Sequence, residues 1–403
     1  MHRSFAIVGL FAGLLGFTAA DAQTKTVKIG VLNDQSSLYA DTGGPGSTLA
    51  AQMAVEDSGL VPKGWKIDVI VADHQNKPDV GSGIARQWYD VDKVDVILDV
   101  PNSGVALAVN QVTKEKNKVL IVSGGATSDL TGKACSPNTV HWTYDTYMLA
   151  KGTGTAMTKA GGNTWFFLTA DYAFGMALEK DTTAAIVAAG GKSIGGVRHP
   201  LNNADFSSFL LQAQASGAKV VGLANAGGDT SNAIKQAHEF GLTAHGQKLA
   251  ALLLFISDVH GLGLETAQGL TFTESFYWDM NAQTRAFSER FSKRMKNGAR
   301  PTMNHAGVYA GVLHYLKAAE ALGNVNDGAK LVAKMKELPT DDPLFGKGSI
   351  RADGRKIHPA YLFEVKTPAE SKAPWDYYKL VATIPADEAF RPLAESECPL
   401  VKK

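Results

Sequence analysis

The chain has 403 residues, with 40 Lys and Arg against 39 Asp and Glu, a formal net charge of +1, and only two cysteines. Charge this close to neutral excludes the strong basic excess that marks nucleic-acid and polybasic membrane binders. The length is too great for one ordinary hydrophobic core and predicts two domains.

The first stretch reads as an export signal. His2 and Arg3 form a short positive region, Phe5 to Phe17 is apolar, and Ala20-Asp21-Ala22 is a small-x-small cleavage site. The apolar run is short of the roughly 20 residues needed to span a bilayer. Residues 1–22 are therefore expected to be removed, with one base (Arg3) and one acid (Asp21), leaving the charge balance unchanged. No Cys follows the run to carry a lipid, and no second membrane segment follows it. In an exported chain the two cysteines, Cys135 and Cys398, are expected to form a disulfide rather than a metal site or a nucleophile. Two free thiols is the alternative.

From Val27 short β-branched runs alternate with helical patterns. Val27–Leu32 reads as a strand, followed by a Gly-rich turn (Gly43, Gly44, Pro45, Gly46) and a helix over Thr48–Asp57. Strands are predicted at Lys66–Ala72, Val94–Leu98 and Val119–Val122, with helices at Val80–Tyr89 and Val105–Lys114. Near-continuous apolar strands separated by amphipathic helices indicate a parallel sheet covered on both faces. A second series starts after Tyr144: strands at Thr164–Leu168, Ser193–Val197 and Lys219–Leu223, helices at Gly175–Ala189, Asp205–Ala215 and Thr230–Phe240. Helices then return at Gln283–Lys296, His305–Leu322 and Asp327–Lys336, and strands at Ala360–Val365 and Tyr377–Ala382. The order predicts discontinuous lobes joined by short hinges: residues 23–143 with 279–353, and residues 144–278 with 354–403.

Enzyme signatures are absent. The chain has no G-x-S-x-G elbow, no H-E-x-x-H, no G-x-G-x-x-G after a strand and no Walker loop. Gly191-Lys192-Ser193 ends like a phosphate loop, but the upstream glycine position is Ile186, and a turn before a strand is the plainer reading. The ten His residues lack metal-ligand spacing. No cofactor or metal is expected.

Polar loops of small residues lie just past strand ends, where open α/β sheets bind ligands. Pro101-Asn102-Ser103-Gly104 and Ser123-Gly124-Gly125-Ala126-Thr127-Ser128 each precede a helical turn. Backbone N–H groups at a helix start, with Ser and Thr hydroxyls, can hold a carboxylate without a buried lysine. Ordinary N-capping by these side chains is the competing reading. Aromatic residues at comparable loops, namely Tyr39, Trp142, Tyr144, Tyr172, Phe174, Tyr277 and Trp278, would suit an apolar or aromatic solute.

At these residues the chain resembles the branched-chain amino-acid-binding (leucine-binding) type of periplasmic ABC transporter solute-binding protein. The likeness rests on the first strand and turn (Val27 to Gly43), Ala72-Asp73-His74-Gln75-Asn76-Lys77-Pro78, Ser123-Gly124-Gly125-Ala126-Thr127, Asp171-Tyr172-Ala173-Phe174-Gly175, Asp205-Phe206-Ser207-Ser208-Phe209 and Ala306-Gly307-Val308-Tyr309, in that order. The resemblance implies a type I fold: two doubly wound parallel-sheet α/β lobes, three hinge crossovers, and closure around a solute. It implies a monomeric, non-enzymatic periplasmic protein that hands the solute to permease subunits. Asn102, Ser103, Ala126 and Thr127 match family positions that hold a ligand carboxylate. Phe174 stands where amino-acid binders place a Tyr, which Tyr172 can replace, and the second-lobe Tyr segment is Asn225-Ala226-Gly227-Gly228-Asp229. The acid that receives an ammonium group has no match near Ile256-Ser257-Asp258, leaving Asp145, Asp229 or Asp258 as substitutes. The expectation is transport of a small carboxylate, an amino acid or an aromatic acid. An amide-sensing receptor on the same fold and an exported hydrolase are the alternatives.

Overall fold

The computed structural model describes residues 25–402, so the expected export signal lies outside the described residues. Strand β1 (Lys25–Asn33) pairs in parallel with β2 (Trp65–Asp73) and β3 (Val96–Asp99), and β4 (Val119–Val122) and β5 (Thr139–His141) complete a parallel sheet of order β2-β1-β3-β4-β5. Every residue of β3 and β4 is buried, as expected for strands with helices on both faces.

The second sheet starts with parallel strands β6 (Thr164–Ala170), β7 (Lys192–His199), β8 (Val220–Ala224), β9 (Lys248–Ala251) and β10 (Thr271–Glu274). A small antiparallel sheet of β11 (Thr340–Asp342), β12 (Gly346–Ile350) and β13 (Lys356–Ile357) follows in the chain. The chain then returns with β14 (Ala360–Val365) and β15 (Tyr378–Ile384), which add antiparallel strands to the second sheet. Its order is β15-β14-β10-β9-β8-β6-β7.

Three crossovers connect the two lobes: β5 to β6, β10 to the helix Ala282–Arg294, and β13 to β14. The helix Met303–Leu322 packs along the helix Gly44–Asp57 in the first lobe. That helix begins at Gly44, four residues before the predicted start, because Pro45 suits a first helical turn where no N–H partner is required. Gly191-Lys192-Ser193 leads into and forms the start of strand β7, not a phosphate loop.

Cys135 and Cys398 form a disulfide, with Cα atoms 5.6 Å apart and a separation of 263 residues in sequence. It fastens the C-terminal tail to the loop before β5. Asp181 accepts hydrogen bonds from Ser128 and Thr146 at 2.8 and 2.6 Å and from Arg391 at 2.9 Å, tying the same tail to both lobes.

Candidate functional site

A narrow cleft pocket lies between the lobes, and its walls come from the carboxyl ends of seven parallel strands. Tyr39 and Thr42 follow β1, Pro101 follows β3, Gly124 follows β4 and Tyr144 follows β5. From the other lobe, Tyr172 and Phe174 follow β6, Ala226 follows β8, and Leu253 and Phe255 follow β9. Asn304, in the first turn of the helix Met303–Leu322, closes the wall. Five aromatic rings line the pocket and no charged side chain does.

Local conformation explains how these side chains converge. At the end of β3, Asp99 and Val100 both have positive φ, 77° and 49°. A β-branched residue there is strained by on the order of 1–3 kcal/mol. The turn swings Pro101 onto the pocket and aims the helix Ser103–Glu115 at it. At the start of the helix Ala173–Ala188, a Cβ on Gly175 would lie 2.0 Å from the Ala170 carbonyl oxygen. Only glycine lets that helix begin so close to β6, which is what presents Tyr172 and Phe174.

Most hydroxyls of the pocket are already bonded. Tyr39 Oη and Tyr172 Oη are 2.5 Å apart across the cleft. Thr42 Oγ1 donates to the Tyr39 carbonyl at 3.0 Å, and Tyr144 Oη donates to the Gly124 carbonyl at 2.8 Å. Burial raises Tyr39 and Tyr144 well above the usual phenol range, so both stay neutral donors.

Of the residues singled out in the sequence, Tyr39, Tyr144, Tyr172 and Phe174 line this pocket. Asn102, Ser103, Ala126 and Thr127 are buried in the loops that present Pro101 and Gly124 and are not among the lining residues. Of the amides expected there, those of Val105, Ala126 and Thr127 are already engaged. Asn102 Oδ1 accepts the Val105 N–H at 3.1 Å, and Thr127 Oγ1 accepts the Asp129 N–H at 3.4 Å, as ordinary caps. Ser103 Oγ accepts the N–H groups of Ala126 and Thr127 at 3.3 and 3.1 Å. Both acceptor sites of that hydroxyl are used, which leaves its proton to donate.

Asn225, Asp229 and Trp278 do not line the pocket. Asn225 Nδ2 donates to His199 Nε2 at 3.1 Å while its Oδ1 accepts the Thr230 hydroxyl at 2.7 Å. Asp229 accepts the N–H groups of Asn202 and Asn203 at 3.0 and 2.7 Å, and burial pushes its carboxyl up to about 6. Trp278 is half-buried, donates to the Trp375 carbonyl at 2.8 Å, and has Arg300 over its ring at 4.2 Å. The other substitute acids are also committed. Asp145 caps Met148 N–H at 2.8 Å and faces Arg355 at 3.5 Å. Asp258 accepts the Phe255 N–H at 2.9 Å, and burial pushes it up to about 7. Trp142 packs on His314, and Tyr277 stacks on Tyr378, both as core.

Sequence reading missed Thr42, Leu253, Phe255 and Asn304. Phe255 lies within an apolar run, Leu249–Ile256, in which core and pocket residues look alike. Asn304 stands 160 positions beyond Tyr144, with no local signal beyond a helix start. Among the described residues no group of three or more His, Cys, Asp or Glu is placed to hold a metal, and no helix is long and apolar enough to cross a membrane.

A family model described as periplasmic binding protein matches residues 26–372. A solved periplasmic binding protein from Burkholderia mallei is 53% identical, with a TM-score of 0.91 over 94% of this chain and 100% of that one. A branched-chain amino acid ABC transporter periplasmic ligand-binding protein from Burkholderia xenovorans LB400 is 40% identical, with a TM-score of 0.82 over 93% of this chain and 100% of that one. An ABC transporter solute-binding protein from Rhodopseudomonas palustris BisB5, in complex with 3,4-dihydroxybenzoic acid, is 25% identical, with a TM-score of 0.80 over 90% of this chain and 98% of that one.

Proposed function

The chain belongs to the periplasmic binding protein family, and from that premise we propose that it captures a small carboxylate between its lobes and delivers it to the permease of an ABC importer. One observation carries this reading: a pocket walled by aromatic rings from both lobes, set over the carboxyl ends of the parallel strands of both sheets. The lobes are drawn as residues 23–143 with 279–353 and 144–278 with 354–403. The protein acts as an exported monomer and performs no chemistry on its solute.

The carboxylate end falls to the Ser103 hydroxyl, polarised by two amides, and to the first turn of the helix Ser103–Glu115. Charge-assisted bonds of this kind are worth roughly 1.5–3 kcal/mol each, so a buried cation is unnecessary. Tyr39, Tyr144, Tyr172 and Phe174 enclose the apolar remainder.

An aromatic acid fits better than an α-amino acid. An ammonium group needs a carboxylate when buried, and Asp145, Asp229 and Asp258 are all bound elsewhere. The 3,4-dihydroxybenzoic acid carried by the Rhodopseudomonas relative supports the same choice. The name of the Burkholderia xenovorans relative keeps branched-chain amino acids as the second reading.

Native mass spectrometry of gently purified protein tests the proposal by identifying any carried-over solute. A single small acid, released unchanged, is the expected result. A neutral sugar or amide would overturn the carboxylate, and a solute recovered cleaved would point to the hydrolase instead.

A further inference from the structure

Asn304 is buried, with 1% of its surface exposed, and its Oδ1 has no hydrogen-bond partner. Among the described residues it is the one pocket-lining side chain with a buried polar atom left in that state. The other hydroxyls on the wall, those of Tyr39, Thr42, Tyr144 and Tyr172, all have partners. The amide end of Asn304 faces the Tyr144 hydroxyl, so it sits on the pocket wall and not behind it.

A buried acceptor without a donor costs on the order of 1–3 kcal/mol, and a native interior rarely keeps one without a use. Tyr144 Oη already donates its proton to the Gly124 carbonyl, so the Asn304 amide nitrogen is the end that suits the Tyr144 oxygen, and Oδ1 turns away from it. The oxygen is the group left to read a solute.

We propose that Asn304 is a specificity residue that accepts a hydrogen bond from a neutral donor on the solute, a ring hydroxyl, so that the preferred ligand is a hydroxylated aromatic acid. This rests on the aromatic-acid reading above and sharpens it. A neutral donor is favoured over an ammonium because the neighbouring wall carries no carboxylate. Asp99, a buried acid of the first lobe, packs against Gly124 but is not itself among the lining residues: a Cβ on Gly124 would meet Pro101 at 2.8 Å and Asp99 Oδ1 at 2.9 Å. Sites built to bond a hydroxyl reject the analogue lacking it far more strongly than apolar pockets reject an extra one.

Calorimetry on ligand-free full-length mature protein separates the outcomes, with benzoate and its 2-, 3- and 4-hydroxy isomers as probes. At least one isomer is expected to bind wild type about 5–100-fold more tightly than benzoate. Asn304→Leu should bring that ratio close to one, benzoate being measured on the same variant as its reference. A ratio preserved in the variant overturns the role of Asn304. Equal binding of benzoate and every hydroxy isomer by wild type also overturns it, with no variant needed, and leaves the aromatic-acid reading standing. No binding of any of the four acids overturns both together.

Discussion

Across the cleft, the hydroxyl of Tyr39 lies 2.5 Å from that of Tyr172, joining two loops 133 residues apart in sequence. The bond spans the lobes, so it contributes to the closed state and to nothing within either lobe. Removing one hydroxyl should lower the closed population by the net worth of one hydrogen bond, roughly 0.5–1.5 kcal/mol. Tyr39→Phe and Tyr172→Phe are each expected to weaken solute binding about 2–12-fold, and the double variant no more than either alone. Calorimetry with small-angle scattering checks this. Additive losses would mean that the hydroxyls act separately.

A second contact makes closure depend on a glycine. Gly228 N–H donates to the Leu38 carbonyl at 3.3 Å, and Gly227 has φ +56°. A Cβ on Gly227 would lie 2.5 Å from that carbonyl oxygen and 3.0 Å from the Tyr39 ring. Gly227→Ala should therefore hold the lobes apart, because both φ and the approach of the facing loop exclude a side chain. Scattering is expected to show a more extended particle that saturating solute fails to compact fully. A wild-type compaction would refute the contact's role.

The disulfide should stabilise the whole molecule. Its 263-residue separation makes loop closure worth roughly 5 kcal/mol in the chain-entropy model, with measured values often nearer 2–4. The unfolded, unreduced protein should show no labelled thiol and the reduced protein two. Cys135→Ser with Cys398→Ser should lower unfolding stability by roughly 2–5 kcal/mol in a denaturant titration. An unchanged midpoint would mean that Asp181 and its partners hold the tail unaided.

Asp99 gives a pH signature. Burial pushes its carboxyl up to about 6, with the Asn33 amide, which donates to it at 2.9 Å, acting the other way. The native state therefore holds a proton that the unfolded chain has already lost between about pH 4 and 6. Over that window rising pH must ionise a buried group, so this residue's contribution to stability falls. Asp99→Asn should accordingly gain stability relative to wild type from pH 4 to 7, by roughly 1–3 kcal/mol. Urea melts at the two ends of the range measure the difference. A gap independent of pH would contradict the assignment.

The two-sheet architecture was legible because buried parallel strands read as apolar runs. Val119–Val122 and Ala360–Val365 coincide with their strands. Strands Thr139–His141, Lys248–Ala251 and Thr271–Glu274 were not foreseen. They are three or four residues long, and two of them bury Thr, His or Glu, so neither length nor polarity sets them apart. The site was half legible. Loops after strands were the right places to look, and four aromatic residues found there line the pocket. The polar residues of the same loops turned inward, because Asn102 and Thr127 cap the very helical turns that made them conspicuous. Asn225 failed for a similar reason: its neighbour Ala226 faces the pocket while its own amide joins His199 and Thr230.

The carboxylate remains the centre of the account, and calorimetry with an aromatic acid beside its methyl ester tests it most directly. The free acid should bind and the ester should not. Ser103→Ala should weaken the acid about tenfold or more, since it removes a charge-assisted donor worth roughly 1.5–3 kcal/mol. An ester bound as tightly as its parent acid, or an acid indifferent to Ser103→Ala, would contradict the carboxylate site.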